Sequence, residues 1–176
     1  MREMPGHNVI LIGFMGAGKS TVGRLLARRL GRCFVETDDM ITAREGSTIP
    51  ELFRRHGEAR FRELEGEAVE ALRLKSGDVI ATGGGLPCRE GRMEALRALG
   101  TVVWLRGPLD ELIARARRAG DRPMLARPPA EVEALYRARA PFYTRAHVTV
   151  DTAGLGTDQV VARVLRALRE AHAARV

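Results

Sequence analysis

Residues 13–21 read Gly-Phe-Met-Gly-Ala-Gly-Lys-Ser-Thr, and the segments on either side constrain the fold as tightly as the run itself. The preceding Val9-Ile10-Leu11-Ile12 is a short apolar run of the kind that forms a buried parallel strand. The following Val22–Leu30 carries helical periodicity. Strand, glycine loop and helix in that order make a phosphate-binding loop. Gly13, Gly16 and Gly18 allow the backbone to fold tightly and bring its N–H groups close to phosphate oxygens. A helix opening near Lys19 directs free N–H groups and its positive dipole end at the same anion. Lys19 adds a mobile charge for the outer phosphates, and Ser20 offers a hydroxyl to Mg²⁺. The chain has 29 Lys+Arg residues, of which only Lys19 and Lys75 are lysine. One of these two stands where a compact ammonium suits the site better than a guanidinium fork.

The rest of the chain alternates strands and helices, the pattern of a parallel sheet covered on both faces. Strands are expected at 8–13, 33–36, 78–82, 101–106 and 147–151. Thr48 and Glu51 have capping-box spacing and open a short helix through Phe53 and Arg54. A longer helix is expected over 58–75, with Phe61, Leu64, Ala68 and Leu72 along one side. An amphipathic helix is expected from Thr157 to His172. At 176 residues the chain reads as one domain, 1–176. Two stretches break the alternation. Residues 37–62 are long for a simple connection and read as an inserted substrate-binding segment with helices of its own. Residues 117–129, rich in arginine with three prolines, read as a lid.

Composition excludes several classes. No apolar run approaches a membrane span, and the first eight residues hold no apolar signal region, so a cytoplasmic protein without membrane contact is expected. Cys33 and Cys88 make neither a disulfide framework nor a metal site. A net charge of +7 invites a nucleic-acid reading, but aromatic content of 5% leaves few stacking partners, and small anions are the better use of the arginines. Asn8 is the only asparagine, so the guanine-reading Asn-Lys-x-Asp motif of small GTPases is excluded. A small chain with a phosphate loop, a lid and an insertion after the second strand is expected to be a small-molecule kinase.

With the loop, four further motifs occur in order: Glu36-Thr37-Asp38, Phe61-Arg62, Gly83-Gly84-Gly85, and Arg122-Pro123 followed by Arg139-Ala140-Pro141-Phe142-Tyr143. Together with Gly13–Gly23 this set resembles the shikimate kinases, from residue 9 to about residue 170. The resemblance implies a three-layer α/β/α P-loop kinase fold with a central five-stranded parallel sheet, acting as a monomer. It implies transfer of the γ-phosphoryl group of ATP to the 3-hydroxyl of shikimate, with one Mg²⁺ ion. The rival within the class is a gluconate or nucleoside monophosphate kinase. Gly16, Ala17, Gly18, Lys19, Ser20 and Thr21 would bind ATP. Arg115 would lie on the adenine side, and Arg122 would close over the phosphates from the lid. Asp38 would grip the accepting hydroxyl, and Lys19 and Arg122 would share the catalytic work. Arg62 and Arg139 match the family's carboxylate-binding arginines, and Gly84 matches a substrate-binding glycine. Ser20 and Glu36 would hold the metal. The family usually carries Asp where this chain has Glu36, which is one methylene longer.

Overall fold

A fully buried strand β1 (Asn8–Ile12) sits at the centre of a five-stranded parallel sheet. The computed structural model describes residues 7–120 and 126–174. The other strands are β2 (Phe34–Glu36), β3 (Val79–Ala81), β4 (Gly100–Arg106) and β5 (Val148–Asp151), in the spatial order β2-β3-β1-β4-β5. Register is fixed by pairs such as Ile10 with Ile80 and Ile10 with Val102. Helices on both faces bury the sheet, so the inner strands read as continuous Val/Ile/Leu runs rather than alternating patterns. Asn8 is the polar exception. Its side chain is 2% exposed and bonds the Lys75 and Leu99 carbonyls and the Asp78 N–H, tying the segments at the lower end of the sheet.

Seven α-helices are described: α1 (Lys19–Leu30), α2 (Thr37–Glu45), α3 (Ile49–Leu72), α4 (Arg92–Leu99), α5 (Leu109–Arg118), α6 (Pro129–Tyr143) and α7 (Thr157–Ala173). Each expected strand is present. The capping box is present too: Thr48 Oγ1 accepts from the Glu51 N–H, and Glu51 accepts from the Thr48 N–H. The helix boundaries differ in one place. The short helix and the 58–75 helix run together as α3, which ends at Leu72. Gly57, at φ 74° and ψ 178°, breaks the helical path between the two arms.

The apolar side of α3 serves two cores. Leu72 and Val69 belong to the main core under the sheet. Phe61, Leu64 and Ala68 join Ile41 and Leu52 in a small separate cluster. Segment 37–62 therefore has apolar contacts of its own, and it hangs beside the carboxyl ends of β2 and β3. This is the edge where open α/β sheets bind ligands. The lid expected at 117–129 begins in the last turn of α5 and ends at Pro129, which opens α6. Its Arg122 lies outside the described residues. Cys33 and Cys88 are free thiols.

Candidate active site

The loop from Gly13 to Gly18 leaves β1 and turns directly into α1. Gly18, at φ 84°, caps the helix with no side-chain acceptor, and the first turn holds no acid. The free N–H groups of that turn are therefore available to an anion. Gly16 is required twice over. Its φ of 75° disfavours a side chain, and a Cβ there would lie 1.9 Å from the Leu112 carbonyl oxygen. Close packing of α5 against the loop thus depends on a bare backbone at this position. Lys19 Nζ donates to the Gly13 and Phe14 carbonyls at 2.8 and 3.1 Å, folding back over the loop.

Gly16, Ala17, Gly18, Lys19, Ser20 and Thr21 all line one cavity of about 670 Å³. Glu36, Asp38, Gly84 and Arg115 line the same cavity. Arg115 is pinned by Glu111 at 2.9 Å and by the Thr152 hydroxyl at 3.3 Å. Leu155, Gly156 and Thr157 line the cavity as well, and Arg115 is tied to Thr152 after the edge strand β5, whereas Asp38 follows the opposite edge strand β2.

Ser20 Oγ donates to Glu36 Oε1, and Arg24 reaches Glu36 Oε2 at 3.3 Å. A serine hydroxyl and one carboxylate form an oxygen-only donor set. Among the described residues no group of three or more His, Cys, Asp or Glu side chains gathers to hold a metal. Few protein ligands and only oxygen donors suit Mg²⁺, which keeps most of its shell as water and phosphate. Asp151, at the end of β5, is engaged elsewhere: it pairs with Arg106 at 2.9 Å and accepts from the Ala153 N–H.

Asp38 occupies the first turn of α2. Its Oδ1 is sealed from solvent and has no hydrogen-bond partner among the described residues. Burial first, and the nearby Glu65 carboxylate second, push its acid up from the ordinary 3.8 to about 6, against the opposing pull of Lys19. Unpartnered buried carboxylate oxygens are costly. Asp38 itself lines the cavity beside the phosphate-binding loop, and a buried carboxylate with a raised acid fits a group that receives a hydroxyl.

The three glycines after β3 are held from two sides. Gly83 N–H donates to Thr37 Oγ1 at 3.1 Å, and the Gly84 carbonyl accepts from Tyr143 at 2.7 Å. Gly85 is the meeting point of two cations. A Cβ there would lie 3.0 Å from Arg139 Nη2 and 3.2 Å from Arg62 Nη1. The structure thus brings together two arginines that are 77 residues apart in sequence. Their states differ. Arg62 is engaged by Glu58 through Nε and Nη2 and by Glu65 through Nη1 at 2.8 Å. Arg139 stacks over the Phe14 ring at 5.9 Å, and no carboxylate pairs with it among the described residues.

Glu65 is the site residue that motif reading passed over. It is 2% exposed, holds Arg62 and faces Asp38. Its signal lay in periodicity: Phe61, Glu65, Ala68 and Leu72 fall on one helical stripe, and a carboxylate on an apolar stripe calls for a cation. Glu58 was missed as well. It bridges Arg62 to Arg89, at 2.9 and 2.6 Å, a contact no local pattern announces.

A phosphate-binding loop that opens a helix at the centre of a five-stranded parallel sheet places the protein among the P-loop kinases. Comparison with known proteins narrows the class. The shikimate kinase family model matches residues 15–169, and on that match the chain belongs to the shikimate kinase family. The shikimate kinase of Geobacter sulfurreducens is 45% identical over 167 residues, covering 94% of this chain and 92% of the relative. That of Moorella thermoacetica is 44% identical, with 94% and 96% covered. The solved shikimate kinase from Acinetobacter baumannii in complex with shikimate superposes with a TM-score of 0.88 at 34% identity, covering 96% of this chain and 95% of that one. A gluconokinase from Sinorhizobium meliloti shares the fold at a TM-score of 0.58 and 19% identity. The family uses ATP as co-substrate.

Proposed function

We propose that the protein transfers the γ-phosphoryl group of ATP to the 3-hydroxyl of shikimate. The observation that carries this reading is the convergence of Arg62 and Arg139 on Gly85, in the same glycine run whose Gly83 lies beside Asp38. A planar carboxylate fits between two guanidiniums through charge-assisted hydrogen bonds. The hydroxyl of the same small acid then reaches Asp38 beside the phosphate loop.

In this reading Gly16–Thr21 cradle the donor phosphates, and Lys19 swings from the Gly13 and Phe14 carbonyls to the outer phosphate oxygens. Arg115 borders the nucleobase end. Asp38 orients the acceptor hydroxyl and takes its proton as the new O–P bond forms and the bond to the β-phosphate oxygen breaks. Positioning and charge stabilisation supply most of the rate enhancement in such transfers. Ser20 and Glu36 would hold Mg²⁺, which when bound neutralises phosphate charge. Segment 37–62 is the acceptor-binding insertion. Arg122, in the 117–129 lid, would close over the phosphates and exclude water.

We further read the protein as a cytoplasmic monomer. Phe53 and Leu74 are the exposed large hydrophobic side chains among the described residues, too few to form an apolar subunit face. None of the described helices is long and apolar enough to cross a membrane.

Incubation with ATP, Mg²⁺ and shikimate tests the reading. ADP release that depends on shikimate, with phosphate appearing on its 3-oxygen by phosphorus NMR, is expected. Equal turnover with gluconate or a nucleoside monophosphate would overturn it. Glu36→Gln is expected to raise the Mg²⁺ concentration for half-maximal rate about tenfold, the cost of losing a carboxylate that holds the ion through water. An unchanged Mg²⁺ requirement would remove Glu36 from the metal corner.

A further inference from the structure

Tyr143 closes α6, one helical turn after Arg139, and is fully buried. Its hydroxyl donates to the Gly84 carbonyl at 2.7 Å, joining positions 59 residues apart. The Arg139 guanidinium lies near the same oxygen and acts on its charge. The surroundings of Gly84 agree: a Cβ there would lie 3.4 Å from Arg139 Nη1 and 3.8 Å from the Tyr143 oxygen. The ring is held by Trp104, with centroids 5.8 Å apart. Burial pushes the phenol up from its ordinary value, so it remains a protonated donor at working pH.

A phenolic oxygen can donate once and accept as well. Here the donated hydrogen fixes the glycine loop, and the oxygen keeps a lone pair for the cation beside it. The weaker donor near Gly84 is the Cys88 thiol, at 3.8 Å. One oxygen therefore sets the spacing between a loop that approaches the acceptor and an arginine that would bind its carboxylate. Filling the core does not require that hydroxyl, since a phenylalanine ring has the same shape.

We propose that Tyr143 is a positioning residue for the acceptor carboxylate, holding Arg139 and Gly84 in register. The inference rests on the shikimate kinase reading above. It separates Tyr143 from an ordinary core aromatic, whose loss of a hydroxyl would change stability without changing selectivity between substrates.

The experiment compares wild type, Tyr143→Phe, Arg139→Ala and the double variant. The readouts are KM for shikimate, KM for ATP, kcat and thermal midpoint. Tyr143→Phe is expected to raise the shikimate KM about tenfold, as expected for a hydrogen bond to a charged partner. The ATP KM and kcat should stay within about twofold, because the hydroxyl contacts neither the phosphate loop nor Asp38. In the Arg139→Ala background the same change should move the shikimate KM less than about twofold, since the group being positioned is gone. A lower midpoint with an unchanged shikimate KM would overturn the inference. So would an equal rise in both KM values, or effects that multiply independently in the double variant. An active wild type with an unaffected Tyr143→Phe overturns this inference alone. A wild type that does not phosphorylate shikimate overturns the proposed function and this inference with it.

Discussion

Asp38→Asn is expected to abolish most of the turnover and at the same time make the protein more stable. The two effects have one cause. Asp38 is a carboxylate with a solvent-sealed, unpartnered oxygen, facing Glu65. Its acid is raised from 3.8 to about 6. The folded protein therefore binds more protons than the unfolded chain between those values, and stability falls as pH rises through the window. Above pH 6 the ionised group costs about 3 kcal/mol relative to an unperturbed one. A neutral amide of the same shape removes most of that cost. At pH 7.5 in metal-free buffer the midpoint should rise by roughly 5 °C. At pH 4 the gain should shrink, because Asp38 is then largely protonated in the wild type. Turnover should fall by about 10²–10⁴-fold, the usual contribution of a positioned general base. The pH dependence of kcat/KM has the opposite slope to stability: the rate rises through about pH 6 as Asp38 ionises. Calorimetric melting and initial rates on the same preparations check both halves. Near-normal turnover would remove Asp38 from the mechanism, and an unchanged midpoint at pH 7.5 would mean that the carboxylate is not strained.

That result would also bear on how much of the site a sequence can disclose. The phosphate loop was legible because all its parts are local: strand, glycines, lysine and helix follow one another in the chain. The five strands were legible as apolar runs, and the Thr48–Glu51 cap as a spacing of three. Local patterns also identified Asp38, Arg62 and Arg139 as separate candidates through resemblance. What sequence did not disclose is what these residues do to each other. The raised acid of Asp38 depends on burial and on Glu65, across the α2–α3 packing. The difference between Arg62 and Arg139 depends on Glu58 and Glu65 pairing with one and not the other. The proposed role of Tyr143 depends on a carbonyl 59 residues away in sequence. The order β2-β3-β1-β4-β5 was equally hidden, since five buried strands of similar composition do not state their neighbours.

The contrast between the two arginines gives the second large expected effect. Arg62 already has two acidic partners, so its charge is largely compensated before any acceptor arrives. Arg139 has no such partner among the described residues and lies over an aromatic ring. An incoming carboxylate should therefore gain more from Arg139. Arg139→Ala removes up to two charge-assisted hydrogen bonds, each worth about 1.5–3 kcal/mol. The shikimate KM should rise about 100-fold or more, with the ATP KM and the thermal midpoint little changed. Arg62→Ala should behave differently. It strands Glu65, whose side chain is 3% exposed, and breaking a buried pair from one side costs about 3 kcal/mol. The midpoint should then drop by about 8 °C at pH 7, in addition to weaker acceptor binding. Removing the stranded carboxylate as well, in Arg62→Ala with Glu65→Leu, should restore much of the midpoint without restoring the shikimate KM. Isothermal titration with shikimate and thermal melts of the variants separate the two outcomes. Equal loss of stability in both single variants would mean that Arg139 is a packing residue. An unchanged shikimate affinity in Arg139→Ala would leave the acceptor carboxylate to Arg62 and the Gly85 backbone alone.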